Sequence, residues 1–322
     1  MAHKRGHFLD VRILLSVFLA CLVTAGCSPK REAGQPRTGS TGPRRDDLSA
    51  TASVRRDVKY RTVDGVELLL DVYTPKDKGN GPFPAVMYVH GGGWTGGDKS
   101  GGAGMTETPE LLSRGFVVIA INYRLAPKYT VPSQVEDVKY AIRYVKSNSR
   151  ELNIDAERLG LIGGSAGGHL VSLMGVTGPE DGLEGDFDLP VKSSRVRAVV
   201  DMFGPADLDG IPEGKAKGTV AQAFGVNVDD PGARELLRKY SPVTYATADD
   251  PPFLILHGDK DEVVPLDQSQ RLYRALQKSG VDSTLLVVKN AGHGLNAVGG
   301  TVTPARAEVS KAIAVFFERT LK

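Results

Sequence analysis

Three short stretches carry residue types that together can break an acyl bond. Gly163-Gly164-Ser165-Ala166-Gly167 fits the pattern G-x-S-x-G, with an apolar run, Leu159 to Gly163, before it and a helical pattern from near Ala166 after it. A strand-to-helix turn this sharp strains its central residue and leaves no room for side chains beside it, so the glycines are needed and Ser165 stands out as a nucleophile. A second apolar run, Phe253 to His257, releases a loop with three acids, Asp259, Asp261 and Glu262. Asp261 is the expected orienting acid, because Val263-Val264-Pro265 anchors the loop directly behind it, and its two neighbours read as solvated loop acids. His293, between Gly292 and Gly294 in a loop after the last strand-like run, is the expected general base. It would take the Ser165 proton while Asp261 holds the imidazole in the needed tautomer; an acyl-enzyme would form and water would hydrolyse it.

A fourth stretch supplies what the transition state needs. The run Ala85 to Val89 leads into His90-Gly91-Gly92-Gly93-Trp94, whose amide N–H groups can converge on one point without side chains in the way. Gly92 and Gly93 are the expected oxyanion donors together with Ala166, and Trp94 could replace one glycine. The same stretch nearly spells a phosphate loop, but Asp98 separates Gly97 from Lys99 and no helical pattern follows directly. His90, at the strand end, reads as a structural residue that holds the loop; His169 and His257 read as packed helix and strand residues. There is no H-E-x-x-H and no cysteine ligand, so neither metal nor cofactor is expected.

These loops need a frame to bring them together. Two hairpin-like segments, Val58 to Thr62 and Val66 to Tyr73, meet around Asp64-Gly65. Further buried-strand runs cover Pro84 to His90, Phe116 to Asn122, Leu159 to Gly163, Val196 to Met202, Phe253 to His257 and Ser283 to Val288. Helical patterns alternate with them. In Ser133 to Ser147 the residues Val135, Val138, Ile142 and Val145 share one face, and others run from Leu266 to Lys278 and from Pro304 to Leu321. Alternation of this kind predicts a doubly wound, mostly parallel sheet with antiparallel N-terminal strands, which binds ligands at the carboxyl ends of its strands.

The ends and the composition add little chemistry. A net charge of +2, with its most basic pairs (Lys30-Arg31, Arg44-Arg45, Arg55-Arg56) near the N-terminus, gives no reason to expect nucleic acid as a partner. The 41% hydrophobic content suffices for a sizeable core in a chain of 322 residues. Residues 1–27 read as an export signal: Lys4, Arg5 and Arg12 precede the apolar run Ile13 to Ala20, and small residues lead to Cys27. Thr24-Ala25-Gly26-Cys27 is similar to the lipobox of bacterial lipoproteins, which implies lipid on Cys27 and loss of Cys21 with the leader. The expectation is export to the bacterial cell envelope with membrane contact through the lipid alone, the alternatives being secretion after cleavage nearby or an uncleaved N-terminal anchor. Residues 28–54, rich in Gly, Pro, Ser and Thr, cannot offset the entropy of ordering and read as a disordered tether before a catalytic domain of 55–322.

From about Asp57 onward the chain resembles α/β-hydrolases of the hormone-sensitive-lipase and carboxylesterase type. More closely it resembles the esterase/lipase group named after a bifunctional feruloyl and acetyl-xylan esterase. The matching stretches are His90 to Lys99, Asn122 to Pro127, Gly163 to His169, Phe203 to Leu208, His257 to Pro265 and Gly292 to Gly294. The order Ser165, Asp261, His293 is the one this fold uses. The resemblance implies a serine carboxylic-ester hydrolase acting on short acyl esters, or on acetyl or feruloyl groups carried by polysaccharides. Related groups act on N-formylkynurenine or peptides, so substrate does not transfer with the fold. Peptidases of the prolyl-oligopeptidase type normally carry a propeller before the hydrolase, and fewer than sixty residues are expected ahead of this one. Such enzymes often insert a cap where Asp207 to Ser241 stand here; a small cap with a helix near Arg234 to Lys239 is expected. Oligomeric state has no signal in the sequence.

Overall fold

Asp64 and Gly65 both take positive φ, 51° and 72°, and so close a tight hairpin between β1 (Ala52–Val63) and β2 (Val66–Pro75). The computed structural model describes residues 47–322, which fall within the unit Ser40–Lys322; the chain's other unit is Met1–Gly39. Cys27, the leader 1–27 and the tether as far as residue 46 lie outside the described residues. After the hairpin come β3 (Phe83–Val89), α1 (Thr108–Ser113), β4 (Val117–Ile121), α2 (Ser133–Ser147), α3 (Ser149–Leu152), β5 (Ile154–Gly164) and α4 (Ala166–Val176). The second half adds β6 (Ala198–Met202), α5 (Lys215–Phe224), α6 (Ala233–Lys239), β7 (Phe253–Gly258), α7 (Leu266–Lys278), β8 (Ser283–Val288) and α8 (Arg306–Leu321).

The eight strands form one sheet in the order β1-β2-β4-β3-β5-β6-β7-β8. β2 runs antiparallel to both its neighbours, and every pair from β4 to β8 is parallel. Alternation along the strands divides the core. Ala85, Met87 and Val89 of β3 pack on the face covered by α2, α4 and α7, through Val138, Ile142, Leu170 and Leu272. Val86 and Tyr88 pack on the other face with Leu111 and Leu112 of α1 and Ile313 and Phe317 of α8. This is the expected α/β architecture, with helices on both faces of a mostly parallel sheet.

Two boundaries differ from the reading above. β1 begins at Ala52, and Leu48 and Ala52 are 5% and 2% exposed in the cluster that holds Phe116 and Phe317. The folded part therefore starts ahead of residue 55, and the end of the expected 28–54 tether is structure. Leu48 stands alone among polar residues, and β1 is a charged edge strand, so neither offered a clear apolar period. In the cap, α6 falls where a helix was expected, but α5 was not foreseen, since Gly218 interrupts a short and weakly apolar segment.

Candidate active site

Ser165 sits between β5 and α4 with φ 57° and ψ −123°, a conformation that costs a non-glycine residue free energy and persists because its surroundings enforce it. Its N–H donates to the Met202 carbonyl of β6 at 2.9 Å, and its own carbonyl accepts the His169 N–H at 3.0 Å, which begins the helix. The two flanking glycines are required by contact rather than by φ. A Cβ on Gly163 would lie 2.4 Å from the Gly167 carbonyl oxygen, and one on Gly167 would lie 2.1 Å from that of Val89.

The strand ends bring the other two residues to Ser165. His293, in the turn after β8, has Nε2 at 3.0 Å from Ser165 Oγ and Nδ1 at 2.8 Å from Asp261 Oδ2. Asp261 Oδ1 accepts the N–H groups of Val263 and Val264 at 2.8 and 2.9 Å, so the Val-Val-Pro segment does anchor the acid. Burial pushes the Asp261 carboxyl up, but hydrogen bonds from His257 and His293 outweigh it and hold the group well below the usual carboxylate range. A lasting anion beside Nδ1 keeps the proton there, which leaves Nε2 free to accept from Ser165. Of the two neighbouring acids, Glu262 is exposed as expected. Asp259 is not fully solvated: its side chain is 21% exposed, it faces Lys289 Nζ at 3.6 Å, and its Oδ1 has no hydrogen-bond partner.

The glycine loop folds back on itself where the sheet ends. Gly92 takes φ 113° and its carbonyl accepts the N–H groups of Thr95 and Gly96 at 3.2 and 3.0 Å. A side chain at Gly92 would be strained by that φ and would meet the Gly96 carbonyl oxygen at 2.2 Å. Gly92, Gly93, Trp94, Ser165, Ala166 and His293 all line one cavity of about 720 Å³, so the expected donors and the nucleophile share a wall. His90 is buried as a structural residue: its ring stacks on Tyr123 at 4.2 Å, and Tyr123 Oη donates to the His90 carbonyl at 2.8 Å. Lys99, the cation of the near phosphate-loop match, is tied to Asp57 and Asp71 at 2.7 and 2.9 Å.

Trp94 has a second part in this wall. Its indole N–H donates to His169 Nδ1 at 3.3 Å, while His169 Nε2 lies 2.7 Å from the Tyr240 carbonyl. The carbonyl can only accept, so His169 is the neutral Nε2–H tautomer and pins the glycine loop to α4. Burial lowers the His169 pKa to about 4. Between the unfolded value near 6.5 and the folded value, the unfolded chain binds the extra proton, so stability is complete above pH ~6.5 and is lost as pH falls toward 4. We expect acidification from pH 7 to 4 to cost wild type up to about 3 kcal/mol more than it costs His169→Gln. Urea midpoints of both proteins across that range check this, and parallel pH profiles would refute it.

Several residues at the site were not anticipated. Phe203, just after β6, has φ 47° and sets its ring edge-on to His293 at 4.9 Å between centroids. Ala216, Thr219 and Val220 of α5 form part of the cavity wall, as do Pro205, Val263 and Val264. Asp201 is fully buried behind the elbow, where its Oδ1 accepts the Gly204 N–H at 2.9 Å, and burial raises its pKa to about 7. Phe203 and Pro205 stand inside a stretch that carried the family likeness, but nothing about their types marked them as wall residues.

Comparison with known proteins gives a consistent picture. The BD-FAE family model matches residues 70–276, a span that includes Ser165 and Asp261 and stops before His293. Esterase LipC of Mycobacterium tuberculosis is 32% identical over 271 residues, covering 82% of this chain and 65% of its own length. Esterase LipQ of the same organism is 30% identical over 291 residues, covering 87% and 66%. The chain thus spans just under two thirds of these two curated relatives. Among solved structures, a truncated carbohydrate esterase from gut microbiota aligns with TM-score 0.71 at 29% identity, over 87% of this chain and 99% of that one. Thermogutta terrifontis esterase 2 phosphorylated by paraoxon aligns with TM-score 0.67 at 26% identity, over 84% and 94%.

Proposed function

Because the chain belongs to the BD-FAE family, whose model matches well over half of it, we propose that it is a serine carboxylic-ester hydrolase that works through an acyl-enzyme at Ser165. The observation that carries this reading is the unbroken relay Ser165 Oγ, His293, Asp261, at 3.0 and 2.8 Å, opening into a cavity. His293 Nε2 takes the Oγ proton as Oγ attacks the ester carbonyl. The resulting oxyanion faces the N–H groups of Gly92, Gly93 and Ala166, each worth about 2.7 to 4 kcal/mol in such sites. Charge on the imidazolium is met by Asp261. The tetrahedral intermediate collapses as His293 returns its proton to the leaving alkoxide, and water repeats the sequence to release the acid. The names of the relatives and the structural neighbours support the esterase reading.

The substrate we propose is a short acyl ester, free or carried on a polysaccharide. The cavity is wide, about 720 Å³, and the apolar part of its wall includes Ala103, Phe203, Pro205, Val220, Val263 and Val264. Those groups offer a small acyl group apolar contact beside Ser165. We expect kcat/KM to be highest from acetyl to butyryl esters and to fall by octanoyl, measured beside feruloyl esters, acetylated xylan and N-formyl arylamines. Rates that climb steadily to octanoyl would overturn the short-acyl assignment. Turnover of the formamides with no ester turned over would overturn the esterase reading itself.

A further inference from the structure

Gly93, in the middle of the glycine loop, is held by packing alone. On one side of it the Gly92 carbonyl accepts from Thr95 and Gly96 at 3.2 and 3.0 Å. On the other, the Trp94 carbonyl accepts the Ala126 N–H at 2.9 Å and the indole is tied to His169 at 3.3 Å. Among the described residues, neither the N–H nor the carbonyl of Gly93 has a hydrogen-bond partner. Yet Gly92, Gly93 and Trp94 take positive φ in succession, 113°, 62° and 59°. A run of such angles persists only where the surroundings enforce it.

The packing comes from the cap. A Cβ on Gly93 would lie 2.6 Å from Thr219 Cγ2, with Thr95 Oγ1 next at 3.8 Å, so the methyl of Thr219 fills the space beside the glycine. That methyl is aimed by its own hydroxyl: Oγ1 donates to the Lys215 carbonyl one turn back at 2.9 Å, which leaves Cγ2 on the side of the loop. α5 is fixed at its far end, where the Ala223 carbonyl accepts the Val131 N–H at 3.0 Å and the Phe224 ring meets Tyr240 edge-on at 5.9 Å between centroids. Through its carbonyl, Tyr240 also holds His169, the partner of the Trp94 indole. The cap therefore reaches Gly93 and Trp94 by two separate routes.

We propose that Thr219 is a positioning residue for the oxyanion hole: its methyl fixes Gly93, and with it the N–H groups of Gly93 and Trp94, so that the cap sets the rate of the chemical step as well as the shape of the cavity. The proposal rests on the esterase reading above. Loss of one oxyanion donor costs about 10²- to 10³-fold in kcat in such sites. A misplacement of about 1 Å can cost on the order of 10²-fold, so a loop that shifts by part of that distance should lose roughly 10-fold. The loss must fall on the step in which the carbonyl oxygen gains charge, and substrate binding should be spared.

The test separates the methyl from the hydroxyl in the full chain. Thr219→Ser keeps the hydroxyl and loses the methyl; it is expected to lower kcat roughly 10-fold on 4-nitrophenyl acetate and 4-nitrophenyl butyrate alike, with KM little changed. Thr219→Val restores the methyl without the hydroxyl and should recover most of that loss. A matched pair of inhibitors reads the hole directly. Ser165 Oγ adds to the carbonyl carbon of trifluoromethyl propyl ketone, His293 takes the Oγ proton, and the ketone oxygen becomes an oxyanion; methyl propyl ketone, far less electrophilic, binds unchanged. Thr219→Ser should weaken the fluorinated ketone about as much as it lowers kcat/KM and leave Ki for the other as in wild type. A fall in kcat with both Ki values unmoved would overturn the proposal, since a smaller folded fraction has that signature. So would a loss that grows with acyl length, which puts Thr219 against the substrate itself, or a loss in Thr219→Val with none in Thr219→Ser, which assigns the role to the hydroxyl. Full activity in both variants would show that Gly93 is fixed without the methyl. If wild type turns over neither ester, the esterase reading fails first.

Discussion

Ser165→Ala is expected to lower kcat by roughly 10⁵- to 10⁶-fold while KM changes little, the loss seen when a nucleophile that acts with its base as one unit is removed. The loss falls on the transition state, since the hydroxyl's hydrogen bond to His293 Nε2 forms part of the reaction path. The fold should survive. The backbone bonds of Ser165 to Met202 and His169 do not involve the side chain, and alanine meets the same cost at φ 57° that serine already meets. The same variant tests the chemistry by a second route. Paraoxon phosphorylates a structurally similar esterase; here Ser165 Oγ would attack phosphorus, expel 4-nitrophenolate and keep the diethylphosphoryl group. Wild type should bind one equivalent and lose activity, and Ser165→Ala should bind none. Retention of more than about 1% of activity by a folded variant would remove Ser165 from the mechanism.

How much of this was legible in the sequence depended on how local the constraint is. The Val-Val-Pro anchor behind Asp261 is set by contacts within a few residues, and the elbow, although its Gly167 also clears the distant Val89 carbonyl, is one sharp strand-to-helix turn, so each leaves a local pattern. Helices α2 and α7 begin and end where their apolar periods do, at Ser133–Ser147 and Leu266–Lys278. What could not be read is set by distant contact. Thr219 lines the cavity because the cap folds α5 over the glycine loop, and nothing near residue 219 encodes that. The Phe203 ring reaches His293 from 90 positions away in the chain, through a positive φ that a phenylalanine gives no hint of adopting. Trp94 was weighed as a backbone donor; its indole bond to His169 joins two residues 75 positions apart.

Asp261→Asn should be nearly as damaging, with kcat reduced roughly 10⁴-fold, although the substitution changes one atom and leaves the packing intact. The geometry decides which way the amide must lie. Asp261 Oδ1 accepts two backbone N–H groups, from Val263 and Val264, and only the amide oxygen of asparagine can take that place. The amide nitrogen is then forced toward His293 Nδ1, where it can only donate. A second donor crowds the same position, because His257 Nε2, whose proton is fixed by the Val264 carbonyl at 2.8 Å, lies 3.4 Å from Oδ2. His293 must therefore give up its Nδ1 proton and carry it on Nε2, which turns the atom that should accept from Ser165 into a donor. Nitrogen-15 shifts of the His293 ring should report the exchange, with Nδ1–H in wild type and Nε2–H in the variant. An Asp261→Asn protein that keeps Nδ1–H, or that works within about tenfold of wild type, would show that the carboxylate does not set the tautomer of the base.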